Sequence, residues 1–241
     1  MTGKSVLITG ANKSIGFETA RQLGKLGYRI WLGSRDSARG SAAVEQLARE
    51  GLDARILAID VTRDDSVQAA AARVQTEDGK LDVLINNAGV IGGGPTPPSQ
   101  QPLSDIRHVY ETNVFGAMRV TQAFVPLLKA AGSANIVMLS SGLGSLSWLS
   151  DPAYQFYEMN LLGYNSSKSA LNAVTVAFAK ELAAFGIKVN SADPGYTATD
   201  MNGHSGYRSV EQAAAGIVWL ATLDGSGPTG GFYFEHDEVP W

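Results

Sequence analysis

The sequence predicts an α/β fold: a doubly wound, parallel β-sheet with helices on both faces. Three observations carry this. Short apolar, β-branched runs alternate with longer amphipathic segments along almost the whole chain. The runs are continuously apolar rather than alternating, as strands buried on both faces must be. Glycine-bearing turns follow several of them, and Gly reaches 27 of 241 residues. With 44% hydrophobic residues and no internal repeat or linker, residues 1–241 read as one domain.

The elements follow in order. Ser5 to Thr9 is a buried strand and Ile15 to Leu26 a helix. Tyr28 to Gly33 is a second strand, followed by a helical stretch from Ala38 to Glu50. Ala54 to Asp60 is the third strand, with an alanine-rich helix from Asp64 to about Gln75. Leu81 to Ile85 and Ile136 to Leu139 are the fourth and fifth strands, separated by a loop and a helical segment around Leu103 to Leu128. Tyr164 to Ala184 is a helix and Ile187 to Ser191 the sixth strand. Val210 to Leu223 is the last helix and Gly231 to Glu235 a final short strand. The glycine- and proline-rich stretch from Gly92 to Pro98 reads as a mobile loop.

Composition excludes several classes of function. The formal charge is −4 and no basic block occurs, which argues against nucleic acid as a partner. Cysteine is absent, so there is no disulfide framework and no thiolate metal site. His108, His204 and His236 lack metal-ligand spacing. The amino terminus has no signal-peptide layout. The uncharged stretch Ala130 to Ser150 is interrupted by Gly132, Gly142 and Gly144, and reads as a buried strand with loops rather than a membrane span. A cytoplasmic protein with no membrane partner is expected.

Two features carry chemistry. Tyr164-Asn165-Ser166-Ser167-Lys168 lies in a helical pattern, so the phenol and the ammonium share one face. A neighbouring cation favours phenolate and would draw a tyrosine's pKa down from about 10. The second feature follows the first strand: Thr9-Gly10-Ala11-Asn12-Lys13-Ser14-Ile15-Gly16 opens a helix. Such a turn lets a dinucleotide's pyrophosphate approach the helix amino terminus, where free N–H groups and the dipole favour anions.

On these residues the chain resembles the short-chain dehydrogenase/reductase family, and in particular its carbonyl-reductase-like members. The resemblance runs from Val6 to the final strand, with six motifs in the family's order. It implies a single Rossmann-like domain and hydride transfer between NADP(H) and a carbonyl or alcohol carbon of a small, apolar or aromatic substrate. The family's loop pattern is Thr-Gly, three residues, Gly, one residue, Gly. Gly10 and Gly16 match, whereas Ser14 takes the middle glycine's place. Contacts with the cofactor are implied for Gly10, Asn12, Lys13, Ser14, Ile15 and Gly16. NAD-preferring relatives have an acidic residue where Ser34 stands; here Arg35 follows it, with a guanidinium suited to a 2′-phosphate. With Lys13 and Arg39 at further basic positions, NADP(H) is favoured over NAD(H), Asp36 being the one feature against.

The resemblance also places the adenine at Asp60 and Val61, and the ribose at Asn87, Ala88 and Gly89, while Asn86 ties neighbouring strands. The nicotinamide falls at Pro194, Gly195, Thr197 and Thr199. The implied catalytic set is Asn113, Ser141, Tyr164 and Lys168. Tyr164 transfers the proton, Lys168 depresses its pKa and reaches the nicotinamide ribose, Ser141 steadies the substrate oxygen, and Asn113 holds a relay water. Twenty-two residues separate Ser141 from Tyr164, about twice the family's common interval. The extra segment is aromatic, and Trp148, Tyr154, Tyr157 and Tyr196 are the expected substrate pocket, facing the stretch from Tyr196 to Tyr207; the alternative is that these aromatics are the core of a local helix. In relatives such an insertion covers a dimer-forming helix face, which favours a monomer. Two other functions use the same scaffold: a non-catalytic NADP(H) sensor, and an epimerase or dehydratase acting on nucleotide sugars.

Overall fold

The computed structural model describes residues 3–94 and 96–241. Eight strands form one sheet: β1 Ser5–Ile8, β2 Arg29–Ser34, β3 Ala54–Ala58, β4 Val83–Asn86, β5 Ala134–Leu139, β6 Ile187–Asp193, β7 Phe232–Phe234 and β8 Asp237–Glu238. Their spatial order is 3-2-1-4-5-6-7-8. All neighbours pair in parallel except β7 and β8, which form an antiparallel hairpin. Strand order reverses between β1 and β4, so a crevice opens at their carboxyl ends, the position where such sheets hold ligands.

The helices are α1 Ser14–Lys25, α2 Ser37–Arg49, α3 Asp64–Glu77, α4 Leu103–Tyr110, α5 Ala117–Ala130, α6 Leu146–Leu149, α7 Leu162–Leu182 and α8 Val210–Ala221. Successive strand side chains point to opposite faces, and the core divides accordingly. Val6, Ile8, Ile30 and Leu32 pack beneath α1, α2 and α8. Leu7, Trp31, Leu57 and Leu84 pack beneath α3, α5 and α7. Both faces are therefore covered, which is why the strands needed uninterrupted apolar runs.

Several boundaries differ from expectation. The segment Leu103 to Leu128 forms α4 and α5 joined by a π-helical turn, Glu111–Gly116, which contains Asn113. Strand β6 runs two residues further than its apolar run and ends on Asp193. The segment after Ser141 contains only the four-residue α6 and a series of turns, so its aromatics do not form the core of a local helix. Residues 92–94 and 96–97 carry no regular structure, Pro98–Gln100 forms a 3-10 turn, and Pro95 lies outside the described residues. Among the described residues no helix is long and apolar enough to cross a membrane.

Candidate active site

The loop after β1 and the segment after β4 are locked together. Gly10 has φ +64°, a left-handed conformation that glycine adopts without penalty. The Asn87 Nδ2 donates to the Thr9 carbonyl at 2.7 Å and to that of Gly10 at 3.2 Å, and the Thr9 hydroxyl accepts from the Asn87 and Ala88 N–H groups at 3.0 Å. A Cβ on Gly16 would stand 2.5 Å from Asn87 Nδ2, so no side chain fits there. Ser14 has φ +56°, the same left-handed region. That explains the glycine of the family pattern, and holding serine there costs about 1 kcal/mol. Asn12 and Ile15 are partly buried beside it, and the first turn of α1 has no side-chain cap, so its N–H groups face the crevice unclaimed by a side chain. Asn86 ties β4 to its neighbours: its Nδ2 donates to Thr121 Oγ1 at 3.0 Å and contacts Met138 Sδ at 3.2 Å.

The three expected phosphate-binding cations are not equivalent. Lys13 donates to Asp200 at 2.7 Å, joining the glycine loop to the segment after β6. Arg39 donates to Asp36 at 2.7 Å. Asp36 in turn caps α2, accepting the Arg39 N–H at 3.0 Å, and this holds its carboxyl below the usual pKa. The carboxylate that counted against NADP is thus engaged with its own helix. Ser34 is buried, with its hydroxyl donating to the Asp36 carbonyl. Arg35 is exposed and bonds none of the described residues. Asp60 accepts two hydrogen bonds from Thr62; burial works against its ionisation, but these bonds prevail and its pKa is lowered. Val61 is buried in the core beneath α5.

Helix α7 carries Tyr164 and Lys168 across the carboxyl end of β5. The contact is close because of glycine: a Cβ on Gly144 would stand 2.8 Å from the Lys168 backbone carbon. Lys168 Nζ donates to the Leu139 carbonyl at 2.7 Å and lies 5.5 Å from the centre of the Tyr164 ring. Gly89 faces this group, since a Cβ there would sit 3.4 Å from Asn113 Oδ1 and 3.7 Å from Lys168 Nζ. The glycine segment after β4 and the tyrosine–lysine helix therefore meet at Gly89.

Asn113 is held tightly. Its side chain accepts from the Val90 N–H at 2.8 Å, and donates to the Val90 carbonyl at 2.9 Å and to Ser167 Oγ at 3.0 Å. Its side chain thus fixes the segment after β4 against α7. Ser167 and Val90, its partners, were not singled out from the sequence; nothing in local pattern marks them.

Burial pushes the Tyr164 phenol up to about 12, opposed by the Ser141 hydroxyl and reinforced by Asp193, so the net shift is upward where a downward one was expected. Burial lowers Lys168 itself to about 8, with Asp193 partly restoring it. The lysine's short contact is with the Leu139 carbonyl, and desolvation dominates at both groups. Ser141 accepts the Leu143 N–H at 3.2 Å, capping a short turn that fixes its position beside the phenol.

Pro194 and Gly195 follow β6, with Gly195 at φ +69°. Thr197 turns its hydroxyl back onto the Pro194 carbonyl at 3.0 Å, and the Thr199 N–H donates to Asn202 at 3.1 Å. The Thr197 hydroxyl is accordingly engaged by its own loop. The aromatic segment does face the stretch after β6. Trp148 stacks on Tyr154 at 5.1 Å, Tyr154 meets Phe156 at 5.7 Å, Phe156 meets Tyr196 at 5.6 Å, and Tyr196 meets Tyr207 at 6.0 Å. Tyr157 is 42% exposed and takes no part in this run; Phe156 joins it instead. Sequence reasoning also passed over Asp193, whose signal was a lone carboxylate directly before Pro194-Gly195 at the end of a buried strand.

Comparison with known proteins agrees with the geometry. The family model described as short chain dehydrogenase matches residues 4–208. A short-chain dehydrogenase of Penicillium roqueforti is 37% identical over 92% of this chain and 90% of its own length. The (+)-neomenthol dehydrogenase of Arabidopsis thaliana is 34% identical over 99% and 98% respectively. Among solved structures, the NADPH-bound carbonyl reductase from chicken fatty liver superposes with a TM-score of 0.85 at 29% identity, covering 100% of both chains. An eight-stranded sheet with its crevice at the β1–β4 reversal, a tyrosine–lysine helix meeting it, and a family match over most of the length lead to one assignment: this chain is a member of the short-chain dehydrogenase/reductase family.

Proposed function

We propose that the protein reduces a carbonyl group of a small apolar or aromatic compound, using NADPH. The observation that carries this reading is the meeting of two halves at Gly89: the dinucleotide-type loops on one side, Tyr164, Lys168 and Ser141 on the other. The crevice suits a nicotinamide dinucleotide: Gly10 and Gly16 let the loop close onto Asn87 and Ala88, the first turn of α1 carries no side-chain cap, and Gly89 keeps the backbone bare beside Lys168. Gly10, Asn12, Lys13, Ser14, Ile15 and Gly16 would hold the pyrophosphate, Asp60 and Val61 the adenine end, and Asn87, Ala88 and Gly89 a ribose. Pro194, Gly195, Thr197 and Thr199 would border the nicotinamide. Arg35, uncommitted among the described residues, is the best receptor for a 2′-phosphate, with Lys13 and Arg39 reached by opening exposed ion pairs worth at most about 1 kcal/mol each.

The bound nicotinamide supplies the hydride. The protein supplies the proton and the electrostatics. Tyr164, held near 12 by burial, is protonated at neutral pH, which is the form that donates to an oxygen gaining negative charge. Ser141 donates to that oxygen, stabilising the charge as it develops. Lys168 places a cation beside both, and Asn113 fixes the strand-β4 segment against α7 so that the groups keep their spacing. Trp148, Tyr154, Phe156 and Tyr196 wall the substrate side.

The test is absorbance of reduced nicotinamide with a panel of ketones, aldehydes and alcohols. Net consumption of NADPH with a carbonyl compound is expected. Tight NADPH binding without consumption would replace this reading by a sensor, and recycled cofactor with sugar rearrangement would replace it by an epimerase.

A further inference from the structure

One partly buried carboxylate at the site is used by none of the steps above. Asp193 ends β6, one residue past the Ala192 that pairs with Leu139, and the Ser140 N–H donates to the Ala192 carbonyl at 2.8 Å. Its Oδ1 accepts the Gly195 N–H at 2.9 Å. Its Oδ2 points the other way, over Gly142, the residue after Ser141. A Cβ built on Gly142 would stand 2.7 Å from Tyr154 Oη, 3.0 Å from Asp193 Oδ2 and 3.1 Å from the Trp148 ring. A carboxylate oxygen, a phenol hydroxyl and an edge atom of the indole thus close in on Gly142 from one side, next to Ser141.

Neither the carboxylate nor the phenol has spent all its hydrogen-bonding capacity on its neighbours. Tyr154 Oη bonds none of the described residues. The carboxylate has about four acceptor positions, and the N–H groups of Gly195 and Gly142 face it without using them all. The surrounding charges, Arg208 and Lys168, favour its ionised form against burial, which raises its pKa. Arg208 makes its short ion pair with Glu235 at 2.7 Å rather than with Asp193. An acceptor and a donor side by side are complementary to a hydroxyl, which can give its proton to the carboxylate and accept one from the phenol. The same carboxylate repels an anion.

Resting on the reductase reading, we propose that Asp193 and Tyr154 form a hydroxyl-recognising subsite beside the reacting carbonyl, making the substrates hydroxylated carbonyl compounds and excluding keto acids. Asp193 is then a specificity-determining residue. A hydrogen bond to a carboxylate is among the stronger ones, so a substrate lacking the hydroxyl loses about tenfold or more.

The test compares phenacyl alcohol, acetophenone and phenylglyoxylate with wild type, Asp193→Asn and Tyr154→Phe, each as kcat/KM with NADPH. Alongside it, calorimetry measures binding of 1-phenyl-1,2-ethanediol against 1-phenylethanol to the same proteins. Wild type is expected to prefer the hydroxylated member of each pair by about tenfold or more. Asp193→Asn should erase most of that preference and raise phenylglyoxylate relative to acetophenone by about tenfold. Tyr154→Phe, which leaves the Gly195 bond in place, should reduce the preference by a few fold. If Asp193→Asn lowers all three substrates by the same factor and neither variant alters the binding preference, Asp193 is only a brace between two loops and the proposal fails. If wild type consumes NADPH with no carbonyl compound, the reductase reading fails, and the diol-over-alcohol binding ratio still decides the subsite.

Discussion

Replacing Tyr164 with phenylalanine is expected to lower kcat for carbonyl reduction by about 10²–10⁴-fold, while NADPH binding changes by no more than about twofold. The Tyr164 phenol lies beside Ser141 and is protonated through the neutral range. Phenylalanine keeps the ring and its packing on α7 but removes the proton. The neighbouring ammonium cannot substitute, because it is directed onto the Leu139 carbonyl at 2.7 Å. Ser141 is positioned to steady an oxygen, and a free serine hydroxyl is far too weak an acid to protonate one. Steady-state kinetics with a fluorescence titration of NADPH on the same preparations separates loss of chemistry from loss of binding. Activity near the wild-type level in the variant would remove Tyr164 from the proton-transfer role.

Replacing Arg35 with serine is expected to weaken NADPH binding by about 10–100-fold and to leave NADH binding within about twofold, since a charge-assisted bond to phosphate contributes about 1.5–3 kcal/mol. The three cations differ in what each already binds. Lys13 is joined to Asp200 and Arg39 to Asp36, whereas Arg35 stands exposed at the end of β2 with no partner among the described residues. No carboxylate occupies the place where one would accept from an unphosphorylated ribose: Ser34 is turned inward and Asp36 is engaged as a helix cap. Calorimetric titration with both cofactors measures the ratio. Equal losses for NADPH and NADH would mean that Arg35 is not the discriminating contact.

How much of this was legible in the sequence varies with the physics behind each feature. Strands β1 to β6 could be read because a sheet covered on both faces demands unbroken apolar runs, and the core divides beneath them accordingly. The short pieces, α6 and β8, could not, since four and two residues carry no period. The π-helical turn at Asn113 leaves the hydrophobic pattern of its helix intact and is invisible to periodicity. Asp193 was missed because a charged residue looks like the end of an apolar strand, although the strand continues through it. Phe156 rather than Tyr157 joins the aromatic run because a chain of turns does not fix which side a residue takes. The pairing of Tyr164 with Lys168 on one helix face was readable from spacing alone; the direction of the phenol's pKa was not, because burial is set by segments far apart in sequence.

The pH dependence of kcat/KM for carbonyl reduction bears most directly on the claim that a protonated phenol beside a cationic lysine drives the reaction. Both groups act in their protonated forms, so activity should be level through neutrality and fall above the Lys168 value of about 8, well before the phenol itself ionises. A rate that instead climbs with pH through that interval would mean that the deprotonated forms do the work, and would contradict the account.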